Sequence, residues 1–153
     1  MTQKTPPIAL EDRASDGARL SSPSAARNRE PIMSALGERL PDGARVLEIA
    51  SGTGEHALAV VSARPDLRWT PSDPDPKSRA SENAWAEDAE GRIRPALDLD
   101  VCAPGWWDGL ESVEAIYCAN MIHIAPWQAA DGLFDGASKL LTPEGALHLY
   151  GPF

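Results

Sequence analysis

The sequence is poor in the features that mark several large classes of protein. Its two cysteines, Cys102 and Cys118, form no C-x-x-C pair and have no metal-ligand spacing, so we expect two reduced thiols and no metal site. No run approaches the roughly 18 apolar residues that span a bilayer. The first 30 residues also lack the apolar segment of a secretory signal. These absences predict a cytoplasmic protein without a membrane span.

Positive charge is scarce as well. The 153 residues include 14 Lys and Arg against 23 Asp and Glu, which gives a net charge of −9. Proteins that bind nucleic acid draw much of their affinity from a basic face that neutralises phosphate. The composition therefore argues against DNA, RNA and anionic membranes as partners. A chain of this length is expected to form one domain with a core of ordinary size.

The N-terminal part of the chain divides into a tail and a helix. Residues 1–21 are rich in Pro, Gly, Ser and Asp with no apolar period, which predicts a mobile tail before a domain over 22–153. Apolar residues then recur at helical spacing up to Leu40. Pro31 lies inside this stretch, and we expect it to divide the helix because proline removes a backbone donor.

Beyond residue 44 the chain becomes regular. Strand-like runs occupy 45–50, 67–73, 93–100, 113–120 and 146–151, and helix-compatible stretches occupy 55–64, 75–90 and 126–141. Strand ends recur at steps of about 22 to 30 residues, the size of a strand-helix-strand crossover. The pattern predicts an α/β fold of the Rossmann-like type, an open parallel sheet with helices on both faces. Ligands of such sheets bind beyond the carboxyl ends of the strands.

A glycine-rich turn follows the first of these strands, in the segment VLEIASGTGEHA at 46–57. Its GTGEHA portion satisfies the G-x-G-x-x-G/A fingerprint of dinucleotide-binding loops. Asp73 lies 19 residues after Gly54, where an acidic group would accept a hydrogen bond from a ribose hydroxyl. By spacing alone, NAD is one reading of this segment.

Glu48 favours a different cofactor. It lies four residues before Gly52, and a carboxylate beside a pyrophosphate is unfavourable because like charges repel strongly in a low dielectric. It suits a cofactor with a positively charged amino group, such as S-adenosylmethionine, which also carries a sulfonium. Asp98, at the end of the third predicted strand, is then expected to accept a hydrogen bond from the adenine amino group. The alternative for each acid is a helix cap or a solvated loop end.

Six segments together carry a resemblance to a known family. SPSAARNREPI, VLEIASGTGEHA, PSDPD, ALDLD, ANMIHIAPW and LYGPF closely resemble a poorly characterised family of methyltransferase-like proteins, long described as a domain of unknown function, whose human member is methyltransferase-like protein 26. The resemblance runs from about Ser22 to Phe153. It implies the fold of class I methyltransferases and S-adenosylmethionine as the cofactor, but no substrate. Ala50 stands where the class usually has its first glycine.

The resemblance also implies a difference from the rest of that family. Its members continue past the LYGPF segment into further strands, so we expect this chain to lack the final helix and the last two strands of the seven-stranded sheet. The fifth predicted strand would then be an exposed edge, which favours association into a homodimer.

These considerations define the candidate site residues. We expect Arg27 and Asn28 to reach the carboxylate of the cofactor, with a surface ion pair as the equal alternative for Arg27. His123 is the candidate base on the side of the methyl acceptor, and Tyr150 is expected to line the acceptor pocket. A histidine bonded to backbone and a tyrosine that closes the core are their alternatives. The full set of expected cofactor-binding residues is Arg27, Asn28, Glu48, Ala50, Ser51, Gly52, Thr53, Gly54, Asp73, Asp98 and Asn120.

Three functions are compatible with the sequence. The first is an S-adenosylmethionine-dependent methyltransferase that acts on a small molecule or a protein. The second is a non-catalytic module that binds the cofactor or a partner. The third is an NAD-binding oxidoreductase, which the position of Glu48 opposes.

Overall fold

The computed structural model describes residues 13–122 and 124–151. Most of these residues belong to a parallel α/β sheet and the helices that cover it. In chain order the elements are β1 (Ala14–Asp16), β2 (Arg19–Ser21), α1 (Pro23–Arg39), β3 (Arg45–Ile49), α2 (Glu55–Ala63), β4 (Arg68–Thr70), α3 (Pro76–Ala86), β5 (Val113–Ala119), α4 (Trp127–Leu140) and β6 (Leu141–Tyr150).

The main sheet confirms the predicted fold class. Its four strands lie in the order β4-β3-β5-β6, and every neighbouring pair is parallel. The chain passes from β3 to β4 on one side and then returns to the other side of β3 as β5. The carboxyl ends of β3 and β5 therefore meet at the point where the strand order reverses, which is where such sheets bind ligands. Among the described strands, β6 lies at one edge of this sheet.

The predicted strand over 93–100 is wrong as a continuous strand. Only two isolated parallel bridges join this segment to the sheet, at Ile93 and Leu97. Pro71, which directly follows β4 and lies beside this segment, has no N–H to donate. The N–H of Ala96 donates instead to the Asn83 side chain at 2.8 Å, and the carbonyl of Pro71 accepts from Leu97. The hydrogen-bond ladder therefore slips by one residue and does not propagate.

The first helix is continuous, so the expected division at Pro31 is also wrong. α1 runs from Pro23 to Arg39 with Pro31 inside it, and the Ser22 side chain caps it by accepting from the N–H of Ala25 at 3.1 Å. Ile32 and Leu36 are buried against the sheet. Because proline costs one helical hydrogen bond, this packing has to outweigh that loss.

The predicted mobile tail over 1–21 requires a correction for its last nine residues. β1 and β2 form an antiparallel hairpin in which Ala14 pairs with Ser21. The hairpin packs on α3, where the N–H of Leu20 donates to the Ser81 hydroxyl at 2.8 Å. The indole N–H of Trp85 donates to the Leu20 carbonyl at 2.9 Å. Residues 1–12 lie outside the described part of the chain.

Two apolar layers lie on opposite faces of the sheet. One contains α1 and α2 residues packed on Val46, Trp69 and Tyr117. The other contains α4 residues packed on Leu47 and Ile116, together with the segment after residue 100. Helices thus cover both faces, as predicted. Within the described ranges, no helix is long and apolar enough to cross a membrane.

The contact between α4 and Trp106 depends on glycine. The Trp106 indole donates to the Gly132 carbonyl at 2.8 Å, and a Cβ added at Gly136 would overlap with the same indole. A rigid ring packed against helix backbone cannot give way to an added methyl group.

We therefore expect Gly136→Ala to destabilise the fold by about 1–3 kcal/mol through overpacking. Gly37→Ala on α1 is the matched control, since an added Cβ there meets nothing within 4 Å; we expect it to stabilise the helix by about 0.5–1 kcal/mol. Urea unfolding followed by circular dichroism measures both. Equal effects of the two substitutions would contradict the packing of Trp106 on α4.

Candidate functional site

Three residues of the turn after β3 have the left-handed backbone conformation. The φ values of Ala50, Gly52 and Gly54 are 55°, 62° and 89°. Glycine adopts this conformation without penalty, whereas an alanine pays a steric cost. Ala50, at the position where class I loops usually have glycine, therefore carries local strain of the kind that concentrates at functional sites.

The turn is fixed to the end of β4. The N–H of Ser51 donates to the carbonyl of Ser72 at 2.9 Å, and the N–H of Ser72 donates to the hydroxyl of Ser51 at 3.0 Å. The N–H of Gly52 donates to Asp73 Oδ2 at 3.0 Å. The backbone of the turn is thus ordered by its neighbour before any ligand binds.

The other side of the turn lies directly on α3. A Cβ at Gly54 would stand 2.7 Å from the Cα of Glu82, so only glycine allows this approach. The hydroxyl of Ser81 donates to the carbonyl of Thr53 at 2.6 Å. The role of Gly54 is therefore to let helix and turn touch, and it does not line the cavity described below.

Glu48 lies on β3 between two aromatic residues of neighbouring strands. Its side chain is 3% exposed, and Oε1 accepts a hydrogen bond from the Trp69 indole at 3.0 Å. In register it stands beside Tyr117 of β5. The pKa of Glu48 is raised to about 7, chiefly by burial. The hydrogen bonds from Trp69 and Ser51 oppose this increase, and the charge of Asp73 adds to it. Near neutral pH this carboxyl can therefore take either charge state.

Asp73 follows β4 and faces the same turn. Oδ2 accepts from Gly52, and Oδ1 accepts from the N–H of Asp75 at 3.0 Å. Burial raises its pKa, and these two backbone donors oppose the increase. Each carboxylate oxygen can accept a second hydrogen bond, so the group can still bind a hydroxyl of a ligand.

Asn120, the residue that follows β5, bounds the site on the side of that strand. Its φ is 56°, and its N–H donates to the carbonyl of Tyr150 at 2.8 Å. Two non-glycine residues in the left-handed conformation, Ala50 and Asn120, therefore follow the two central strands. Both residues line the cavity described next.

A cavity of about 220 Å³ lies at this edge of the sheet. It brings together seven of the residues expected from the sequence: Glu48, Ala50, Ser51, Gly52, Thr53, Asp73 and Asn120. It also has lining residues that the sequence analysis did not assign to the site: Arg13, Ser22, Ser24, Ala25, His56, Ala119, Met121 and Ile124.

Besides Gly54, four other expected site residues lie outside this cavity, and one is outside the described ranges. Arg27 does not line the cavity. The hydroxyl of Tyr150 donates to Asn28 Oδ1 at 3.3 Å, and Tyr150 lines a separate cavity between α1 and β6. The Asp98 side chain is 71% exposed and pairs with Arg79 at 3.2 Å. His123 falls between the two described segments, so its proposed role as a base stays a prediction.

His56 helps to hold α1 against the site. One ring nitrogen lies 3.1 Å from the Ala25 carbonyl, and the other lies 3.5 Å from the Tyr117 hydroxyl. Burial lowers the pKa of His56, which favours a neutral ring. A histidine following a glycine turn was visible in the sequence, but its partners on α1 and β5 were not.

A larger cavity of about 410 Å³ lies at the opposite end of the strands, beside Arg45 and Val46 at the start of β3. It contains neither the glycine turn nor the buried acids. Volume alone does not identify a binding site, whereas converging polar groups with shifted pKa values do. We therefore assign the candidate site to the smaller cavity.

Glu82 is the most unusual acid of this region. Its side chain is 1% exposed, and within the described ranges neither carboxyl oxygen has a hydrogen-bond partner. Its pKa is raised to about 9, chiefly by burial and in addition by the charges of Asp73 and Glu48, while Arg79 and Arg13 oppose the increase. An unpaired buried carboxylate is costly, so the group is held in its protonated form.

This burial predicts a pH-dependent stability. The folded chain keeps a proton that the unfolded chain loses above the ordinary pKa of 4.5. The contribution of Glu82 to stability is therefore greatest below that pH and falls as the pH rises toward 9, by at most about 1.4 kcal/mol per pH unit. We expect Glu82→Gln to flatten this fall, which urea unfolding at several pH values between about 5 and 8 will measure.

The exposed Glu87, at the end of the same helix, provides the control. Glu87→Gln should leave the pH dependence of the wild-type chain intact. Parallel stability curves for the wild-type chain and Glu82→Gln would show that Glu82 ionises normally in the fold.

The donor and acceptor groups of the cavity fit S-adenosylmethionine. Among the described residues, a Cβ at Gly52 would meet only Arg13 Nη2, at 3.7 Å, so the lack of a side chain leaves the backbone open to a ligand. The Glu48 carboxyl suits a positively charged group and the Asp73 carboxyl suits hydroxyl groups. No group of His, Cys, Asp and Glu residues in the described part of the chain has the arrangement of a metal site.

The parallel sheet with helices on both faces defines a Rossmann-like α/β fold. A family profile described as "Protein of unknown function (DUF938)" matches residues 19–153. The chain belongs to this family.

Solved structures share the fold. An O-methyltransferase family protein from Burkholderia thailandensis superimposes with a TM-score of 0.68 at 20% identity, over 82% of this chain and 38% of that one. Coclaurine N-methyltransferase bound to N-methylheliamine and SAH gives a TM-score of 0.65 at 17% identity, over 79% and 35%. The S-adenosylmethionine-dependent methyltransferase SibL in its apo form gives 0.70 at 20% identity, over 85% and 37%. This chain thus spans little more than a third of the length of each.

Proposed function

We propose that this protein binds S-adenosylmethionine and transfers its methyl group to an acceptor. The observation that carries the proposal is the buried Glu48 carboxyl, which faces the same cavity as the glycine turn and Asp73. A carboxylate here favours a cofactor with a cationic amino acid portion and disfavours a pyrophosphate. The similarity to methyltransferases of known structure supports the same reading at the level of the fold.

Each residue then has a role that follows from its position. Glu48 accepts from the amino group of the cofactor, and Asp73 accepts from its ribose hydroxyls. The backbone around Gly52 lies close to the bound molecule, and Asn120 bounds the cavity on the β5 side. The sulfonium supplies a methyl group that is already activated for displacement, so the main task of the protein is to orient cofactor and acceptor in line.

The acceptor belongs to the same proposal. The net charge of −9 favours a small molecule or a protein over nucleic acid. A base is required only if the acceptor must lose a proton. We propose His123 for that role, because it comes shortly after β5 in the sequence.

Calorimetric titration of the purified chain with S-adenosylmethionine tests the cofactor. We expect micromolar binding, and none of NAD in a parallel titration. Asp73→Asn should weaken binding at least about tenfold, because its amide would face the Gly52 N–H and lose a charged acceptor. Asp98→Asn should bind as the wild-type chain does, because Asp98 does not line the cavity.

Three results would count against this assignment. Binding of NAD instead would support the oxidoreductase alternative. Absence of binding by a folded chain would remove the cofactor claim. Binding without turnover on any acceptor of related methyltransferases would favour a non-catalytic module.

The affinity should also depend on pH. A cationic ligand favours the ionised form of Glu48, whose pKa is raised to about 7. Below that pH the carboxyl must first lose its proton, so affinity should fall by up to about tenfold per pH unit as the pH decreases. Glu48→Gln, which keeps an acceptor for the Trp69 indole, should bind weakly and lose this dependence. An unchanged pH profile in the variant would contradict the role of Glu48.

A further inference from the structure

Arg13 reaches the cofactor cavity from a part of the chain that sequence reasoning assigned to a tail. It directly precedes β1, and its Nη1 donates to the hydroxyl of Ser78 on α3 at 3.2 Å. Its Nη2 lies 3.7 Å from the place that a Cβ of Gly52 would occupy. The guanidinium group therefore stands beside the glycine turn, as part of the cavity wall.

The hairpin that carries Arg13 is docked at several points. Arg19 pairs with Asp88 at 2.9 Å, and its guanidinium lies 5.0 Å from the centre of the Trp85 ring. Trp85 in turn donates to the backbone of Leu20. These contacts anchor β1 and β2 on α3, so the position of Arg13 is set by a packed element.

Arg13 is also distinctive by charge. Of the described residues that line the cavity, it is the only Lys or Arg, and burial favours the neutral form of His56. The other charged lining groups are the acids Glu48 and Asp73. A ligand carboxylate in this cavity would be repelled by both acids and attracted by Arg13 alone.

We propose that Arg13 binds the carboxylate of the amino acid portion of S-adenosylmethionine. The inference rests on the proposed function, and it gives Arg13 the role that the sequence suggested for Arg27. Arginine matches a carboxylate with two parallel N–H donors. The bond to Ser78 uses one of its five donors.

The test compares ligands with and without the carboxylate. Binding of S-adenosylmethionine, S-adenosylhomocysteine and 5′-methylthioadenosine is measured by calorimetry or by competition. We expect Arg13→Gln to weaken the first two by about tenfold to a hundredfold. The third lacks the amino acid portion, and its affinity should change less than about twofold. Arg13→Lys should recover part of the loss, since it keeps the charge but not the paired donors.

Arg27→Gln is the matched control and should bind all three ligands as the wild-type chain does. Thermal unfolding of each variant checks that the fold is retained. If Arg13→Gln weakened the binding of all three ligands equally, or of none, the role of Arg13 would be overturned. The proposed function would still stand, provided that the wild-type chain binds the cofactor. A selective loss in Arg27→Gln would return the role to that residue. Failure of the wild-type chain to bind would remove both proposals.

Discussion

The attachment of the glycine turn to the end of β4 is the constraint on which the site depends. β3 and β4 are paired as strands only as far as Leu47 and Thr70, and beyond that point hydrogen bonds of serine side chains supplement one backbone bond. The hydroxyl of Ser72 donates to the carbonyl of Glu48 at 2.6 Å, and Ser51 bonds to Ser72 through both backbone and side chain. Because these bonds form within the protein alone, a ligand would meet a turn that is already ordered, which reduces the entropy lost on binding.

Much of this arrangement could be predicted from the sequence because it is local. The hydrophobic period, the glycine spacing and the acids at strand ends predicted four strands, three of the helices and seven residues that line the cavity. What failed depended on distant partners. The interruption of the strand at 93–100 requires knowledge that Asn83 captures the N–H of Ala96. The position of Asp98 requires knowledge that Arg79 draws it outward. Neither fact is encoded in the pattern of the segment itself.

The N-terminal hairpin is the second lesson of this kind. The two strands have three residues each, exposed in β1 and half-buried in β2, and show no distinctive period; an isolated hairpin is also marginal in water. It exists here because Trp85 and Ser81 on α3 provide partners for its backbone. Composition alone described the segment correctly as polar but could not reveal the surface on which it folds.

The acids of the site show the same dependence on context. An overall excess of Asp and Glu is a property of the surface and favours solubility. Glu48 and Glu82 differ because the fold removes them from water, which raises the energy of their ionised forms. Carboxyl groups whose ionisation is unfavourable therefore lie close together around one turn, where a cationic ligand would favour the ionised form. Such local cost is typical of binding and catalytic sites.

The docked hairpin has a practical consequence for protein engineering. The family match begins at residue 19, the first residue of β2, whereas the hairpin begins at Ala14. A recombinant fragment cut at that family boundary would lose β1 and Arg13. The strand that Trp85 contacts, β2, would then have lost its pairing partner. Fragments, affinity tags and fusions designed for this protein should therefore start ahead of residue 13, so that this wall of the cavity is retained.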